Sequence, residues 1–228
     1  DRLAYGIGSI LASRENSPMV RNIMANQYVV SGETLSNPQL QQQTRETVRN
    51  VVRSLAEYFY YYQHPEEGKK VIVLSPSAEE ALRDIVERKT PTILLGPHLG
   101  NFDLFGMSLT WLGVKPFVLS YPNPNNAYKA QNRIREAVGM SMNPISFSSF
   151  REAKKALNDG YCVITGLDRP LPEGEEAKYR PRFFGREAAL PVFYCRMALE
   201  TGANVRVACG VRREDGNYLI DATDPIPM

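Results

Sequence analysis

A histidine and an aspartate, His98 and Asp103, lie where a predicted strand gives way to a predicted helix. The run Thr92–Leu95 is short, apolar and partly β-branched, which is typical of a buried strand, and a Gly-Pro pair ends it. Apolar residues then recur at helical spacing over Asn101–Leu112, with Asn101 as N-cap and Asp103 in the first turn, where the helix dipole favours a negative charge. A carboxylate beside an imidazole at the carboxyl end of a strand can hold a general base at a crevice. We therefore expect Asp103 to orient His98, although a lone histidine can equally be a structural residue.

A second polar cluster, Asp168 and Arg169, follows the predicted strand Tyr161–Thr165. Sites in parallel sheets lie beyond the carboxyl ends of the strands, so Asp168 and His98 both occupy candidate site positions. The structural alternative is that Asp168 shapes a turn before Pro170.

A third cluster combines aromatic and basic side chains and consists of Arg182, Phe183, Phe184, Gly185 and Arg186. Paired aromatic rings before a glycine can form the wall of an apolar slot, and flanking arginines can bind phosphate. A phenylalanine pair packed in the core, with solvated arginines beside it, is the alternative interpretation.

The phrase His98–Asp103, with the sequence HLGNFD, resembles the His-x4-Asp/Glu signature of the glycerolipid and lipid A acyltransferase superfamily. The Gly-Asn-aromatic-acid part of this phrase is similar to that of the bacterial late lipid A acyltransferases and the phosphatidylinositol mannoside acyltransferases. Lipid A enzymes usually carry Trp and Glu at the positions of Phe102 and Asp103, whereas the mannoside branch has Asp.

Three more segments resemble motifs of the same family, in the expected order. Asn132–Gly139, which contains Arg135, resembles a basic stretch, and Asp168 resembles the acid at a strand end that helps to bind the acceptor. Arg182–Ala188 resembles the Phe-Phe-Gly-Arg motif. The resemblance extends over nearly the whole chain, to about Val211.

The resemblance implies transfer of a fatty acyl group from an acyl thioester, acyl-CoA or acyl carrier protein, to a hydroxyl of a membrane glycolipid. It makes His98 the general base and Asp103 the residue that fixes its tautomer, with no covalent enzyme intermediate. It implies no metal ion or cofactor beyond the acyl thioester co-substrate. The substrate contacts that it implies are Asn101, Arg135, Asp168, Arg169, Arg182, Phe183, Phe184, Gly185 and Arg186.

Other functions fit less well or stay open. The sequence has no Gly-x-Ser-x-Gly elbow of a serine hydrolase, no glycine fingerprint of a P-loop or Rossmann protein, and few metal ligands near His98. A lysophosphatidate-type glycerolipid acyltransferase and a non-catalytic lipid-binding relative remain alternatives.

Strand and helix patterns alternate from Val71 onward, which predicts an α/β fold with a largely parallel sheet flanked by helices. The resemblance makes this fold similar to that of the glycerolipid acyltransferases. We expect residues 1–68 to form an N-terminal helical segment packed on an α/β core of residues 69–228, together one structural domain.

Composition favours a globular protein. Of the 228 residues 43% are hydrophobic and 23% charged, and a net charge of +2 is too small to indicate a nucleic-acid partner. Three cysteines without metal-ligand spacing indicate reduced thiols in the cytoplasm. No apolar run approaches the roughly 18 residues of a membrane span. Together with the lipid substrate that the resemblance implies, this leads us to expect peripheral attachment to the cytoplasmic face of the cell membrane. The predicted helix Pro38–Tyr62, with Arg45, Arg49 and Arg53 along one flank, suits either core packing or a membrane surface.

Overall fold

The computed structural model describes residues 2–169, 171 and 179–227. Pro170, before which the sequence predicts a turn, lies outside the described residues. The chain forms two compact units. The first comprises the described residues up to Gln63 together with Arg180–Ala188, and the second comprises those of His64–Tyr179 and those from Ala189 onward. The predicted boundary at 68/69, within one structural domain, stays a prediction.

Helices and strands are numbered in chain order. The helices are α1 (Arg2–Ala12), α2 (Pro18–Val30), α3 (Asn37–Gln63), α4 (Pro65–Lys70), α5 (Pro76–Val86), α6 (Phe102–Trp111), α7 (Asn126–Ala137), α8 (Phe147–Asn158) and α9 (Phe193–Thr201). The strands are β1 (Ile72–Leu74), β2 (Thr92–Gly96), β3 (Pro116–Ser120), β4 (Ser141–Pro144), β5 (Cys162–Gly166), β6 (Arg182–Phe183), β7 (Arg186–Glu187), β8 (Asn204–Arg212) and β9 (Tyr218–Ala222).

The first unit contains α1, α2, α3 and the β6–β7 hairpin. Val48 of α3 is buried with Ala12 of α1 and Val20 of α2, and these residues form the core of the helical part. The apolar side chains of α3 differ in exposure, because Val48 is buried whereas Val51 and Leu55 are about half exposed. The buried residues of α3 include Leu40, Thr44, Val48 and Tyr58.

The second unit is built on a seven-stranded sheet in the order β1-β9-β8-β2-β5-β3-β4. Adjacent strands are parallel except for the antiparallel pair β8–β9. Ile93 and Leu95 of β2 pack on one face with Met197 of α9, while Leu94 packs on the other face with Phe105 of α6. The side chains of β2 are buried in this way on both faces, which is typical of a parallel sheet covered by helices. The predicted α/β fold class is confirmed.

The clearest error in the predicted elements concerns β4 and α8. The sequence predicts a strand over Pro144–Phe147, but β4 occupies Ser141–Pro144 and α8 begins at Phe147. The reason is a capping box, in which Ser146 and Ser149 bond reciprocally to each other's backbone N–H groups and fix the start of the helix.

No helix among the described residues combines the length and the apolar character needed to cross a membrane.

Candidate active site

The register of two neighbouring strands brings a histidine and an aspartate together. Gly96, the last residue of β2, pairs with Gly166, the last residue of β5. His98 and Asp168 each follow two residues later, at the same carboxyl edge of the sheet. The ring Nδ1 of His98 lies 2.6 Å from Oδ1 of Asp168, and the backbone N–H of His98 donates to Oδ2 at 2.8 Å. Asp168 therefore holds both the backbone and the ring of His98.

The charge state of Asp168 determines which ring nitrogen of His98 carries a proton. Burial alone would raise the pKa of Asp168, but the hydrogen bonds and charge of His98 outweigh it and lower the pKa overall. An ionised carboxylate can only accept hydrogen bonds, so Nδ1 is the donor. In the neutral ring Nε2 is then unprotonated and can accept a proton from a substrate.

Two neighbours restrict the position of the His98 ring. The ring of Phe102 lies edge-on to it, with the centroids 4.9 Å apart. A Cβ atom at Gly166 would lie 2.8 Å from Cε1 of His98, a distance that requires displacement of the ring. A glycine at the end of β5 is therefore needed for this arrangement.

Contrary to the prediction, the carboxylate of Asp103 forms its hydrogen bonds with residues other than His98. Its Oδ1 accepts hydrogen bonds from Nη2 and Nε of Arg135 at 2.5 and 3.0 Å, and its Oδ2 accepts one from Gln131 at 2.6 Å. The prediction that Asp103 orients His98 is wrong for this structure, in which Asp168 is the partner. Burial alone would lower the pKa of Arg135, but the charge of Asp103 raises it overall. Asp103 and Arg135 thus form a buried ion pair that joins α6 to α7.

A cavity of about 810 Å³ opens beside the histidine, and all the described residues that line it belong to the second unit. Its size is within the usual range for sites that bind small molecules. His98, Phe102, Asp103, Arg135 and Arg169 contribute to its wall. Much of the remaining wall is apolar and includes Phe105, Val118, Met140, Met142, Phe147 and Phe150.

Two other residues with predicted substrate contacts belong to the second unit. Asn101 is 4% exposed and holds α6 in place, because its side chain accepts a hydrogen bond from the N–H of Leu104 and donates one to the hydroxyl of Tyr218. Arg169 is exposed, lines the cavity and has its guanidinium 5.9 Å from the centroid of the Tyr121 ring. Of the two, Arg169 is the one placed to meet a ligand of the cavity.

The remaining predicted residues, from Arg182 to Arg186, form the β6–β7 hairpin of the first unit. Phe184 and Gly185 make its two-residue turn, with φ of 49° and 75°. The rings of Phe183 and Phe184 lie at 78° with their centroids 4.7 Å apart, and both side chains are partly exposed. Arg186 forms an ion pair with Glu33. The substrate contacts predicted for Arg182, Phe183, Phe184, Gly185 and Arg186 stay predictions.

The sequence does carry a signal for the histidine–aspartate pair. Both β2 and β5 end in an apolar run followed by Gly-x-His or Gly-x-Asp, so His98 and Asp168 have equivalent positions after their strands. If the strands are neighbours in register, the two side chains must meet. Asp103 is nearer to His98 in the sequence, and its prediction as the partner of His98 rests on that proximity.

Comparison with known proteins identifies the family of this chain. The family model of bacterial lipid A biosynthesis acyltransferases matches residues 9–225. A comparison with curated proteins gives no match. Because the family match covers most of the chain, the chain belongs to the bacterial lipid A biosynthesis acyltransferase family.

Proposed function

We propose that this chain transfers a fatty acyl group from an acyl thioester to a hydroxyl of a membrane glycolipid, with His98 as general base and Asp168 as its positioning residue. The family membership makes the chain an acyltransferase that acts on lipid. The observation that carries the finer proposal is the His98–Asp168 pair beside a largely apolar cavity of about 810 Å³.

The chemistry follows from the state of the His98 ring. Nε2 takes the proton of the acceptor hydroxyl as its oxygen attacks the thioester carbonyl carbon. The C–S bond then breaks, and the imidazolium returns the proton to the leaving thiolate. Asp168 stabilises the imidazolium between these steps and keeps the ring in one tautomer. No covalent enzyme intermediate is needed, because the acceptor itself supplies the nucleophile.

The cavity suits the apolar part of such a donor. Each methylene that is transferred from water to an apolar wall contributes about 0.8 kcal/mol, so an acyl chain can be bound without polar contacts. Arg169 is the candidate for the phosphate of the donor, since it is exposed and lines the cavity. The lipid substrate also favours peripheral attachment of the protein to the cytoplasmic face of the membrane.

Substitution of the base is the direct test. We expect His98→Ala to lower acyl transfer by about 10²–10⁴-fold, the usual contribution of a positioned general base, while the protein stays folded. The assay uses a labelled acyl thioester with a bacterial lipid extract and, in parallel, with lysophosphatidate. Transfer to lysophosphatidate alone would support the glycerolipid alternative.

The matched control is His64→Ala, which changes the other histidine of the chain, at the start of α4. This variant is expected to transfer acyl groups at the wild-type rate. Turnover by His98→Ala close to that of wild type would contradict the role of His98. Absence of turnover by the wild-type protein with every donor and acceptor would favour the non-catalytic lipid-binding alternative.

A further inference from the structure

A glycine in the middle of α6 faces the cavity and leaves a notch in its wall. Gly106 lines the cavity, and a Cβ atom at this position would lie 3.1 Å from Cε and 3.8 Å from Sδ of Met140. Carbon atoms in favourable contact are about 3.5–4.0 Å apart, so the shorter distance would force the methyl group away. A methyl group at position 106 would therefore push the terminal methyl of Met140 away by a few tenths of an ångström.

The Gly106–Met140 contact lies further along α6 from His98 than Phe102 does. Helix α6 begins at the carboxyl edge of the sheet, where Phe102 contacts His98, and must run back toward the amino edge to reach β3. Gly106 is one helical turn further along, at about 1.5 Å per residue. Met140 directly precedes β4 and so lies at the amino edge, whereas Met142 is paired with Val118 within the sheet. The course of α6 and the position of Met140 before β4 thus both place the Gly106–Met140 contact deep in the cavity.

We propose that Met140, seated in the notch at Gly106, forms the floor of the acyl cavity and sets the length of the acyl chain that the enzyme accepts. This inference rests on the proposed function, since it assigns the apolar cavity to the acyl chain of the donor. Met140 suits the role because it is 7% exposed and has an unbranched, flexible side chain that can adapt to changes around it.

The first test narrows the cavity. In Gly106→Ala the new methyl group displaces the Met140 side chain into the cavity, so the preferred chain becomes shorter. We expect the chain length preferred by wild type to bind roughly 10-fold more weakly or worse, because a methylene that no longer fits typically changes discrimination by about 10–200-fold. The probes are S-acyl phosphopantetheines from octanoyl to stearoyl, the portion that acyl-CoA and acyl carrier protein share. Affinities are measured by calorimetry and transfer rates in parallel.

The second test removes the floor. Met140→Ala is expected to shift the preferred chain to longer lengths. In Gly106→Ala/Met140→Ala the shortening should disappear, because no thioether remains to be displaced. Such non-additivity is expected of residues in direct contact. The control is Gly6→Ala, which changes a glycine of α1 that has open space around the added Cβ and is expected to leave the length profile unchanged.

The outcomes separate this inference from the proposed function. A folded Gly106→Ala protein with the wild-type length profile would overturn the inference, and so would a Met140→Ala protein without a shift to longer chains. If Gly106→Ala does not fold, the chain-length profile of Met140→Ala alone tests the inference. If wild type shows neither binding nor transfer with any member of the series, the proposed function itself fails.

Discussion

At the scale of single residues, the hydrogen bond between His98 and Asp168 gives the sharpest prediction. In Asp168→Asn the side-chain shape is kept, but an amide N–H can donate to Nδ1 and favour the tautomer that has its proton on Nε2. We expect kcat to fall by about 10²–10⁴-fold, as for loss of a positioned base. Single-turnover rates with a labelled acyl thioester check this expectation. If kcat falls no further than it does in a surface variant, Asp168 only supports the backbone at His98.

The lowered pKa of Asp168 also predicts how stability depends on pH. A carboxylate whose pKa is lower in the folded state contributes stability that is fully present above its ordinary value of 3.8 and is lost as pH falls through the lower folded value. The difference in unfolding free energy between wild type and Asp168→Asn should therefore shrink as the pH falls below 3.8. Urea unfolding at a series of pH values measures it. A difference that does not change with pH would contradict the ionised hydrogen-bonded state.

At the scale of elements, the ion pair between Asp103 and Arg135 holds α6 against α7. Their side chains are only 12% and 9% exposed, so Arg135→Ala leaves a nearly buried carboxylate without its cation. Removal of one partner of a buried pair typically costs about 3–5 kcal/mol, which urea unfolding would detect. The control is Arg133→Ala, which removes an exposed arginine from the same helix and is expected to change stability little. Equal stabilities of the two variants would contradict the structural role of the pair.

Secondary structure was predicted well where local signals decide it. The sequence pattern predicts a helix over Pro18–Val30 and strands over Asn204–Arg212 and Tyr218–Ala222. These are the bounds of α2, β8 and β9, because caps, breakers and alternation are all local. The sequence pattern gives no bounds for α1 within the predicted helical segment, because Gly6 and Gly8 obscure its helical pattern. Gly8 has a reason that appears only in three dimensions, since a Cβ there would lie 2.7 Å from Cα of Arg49 and prevent the close approach of α1 to α3.

The partner of His98 could not be read from local pattern, because it depends on strand order. β5 inserts between β2 and β3, so a residue distant in sequence is the nearest carboxylate to the ring. Chain proximity favoured Asp103, whose carboxylate is instead held by Arg135 and Gln131. The residue types thus identify His98 and both acids as candidates. Which acid bonds to His98 and which to Arg135 depends on the order and register of the strands.

At the scale of the whole molecule, exposed apolar side chains on the helices of the first unit favour contact with a membrane surface. Leu3 and Ile10 of α1 are 78% and 63% exposed. Val51, Leu55 and Phe59 recur every four residues along α3, so they lie on one side of it, and each is 43–51% exposed. Arg45 on the same helix is also exposed, whereas Arg49 is engaged by Ser9, Glu46 and the ring of Tyr5. The predicted arginine flank of α3 is therefore only partly free to meet anionic lipid.

Vesicle flotation tests this surface. Wild type is expected to float with anionic vesicles at low salt and less at high salt, because surface charges are screened over about 10 Å at 0.1 M salt. Leu55→Asp/Phe59→Asp should weaken binding by roughly tenfold or more, since full burial of each apolar side chain contributes about 1.5–3 kcal/mol. The control, Gln41→Asp/Gln42→Asp, adds the same charge at exposed polar positions of the same helix and separates loss of apolar contact from electrostatic repulsion. Equal binding by the two double variants would assign the effect to charge alone. Absence of wild-type binding at low salt would show that α3 does not form a membrane-binding surface.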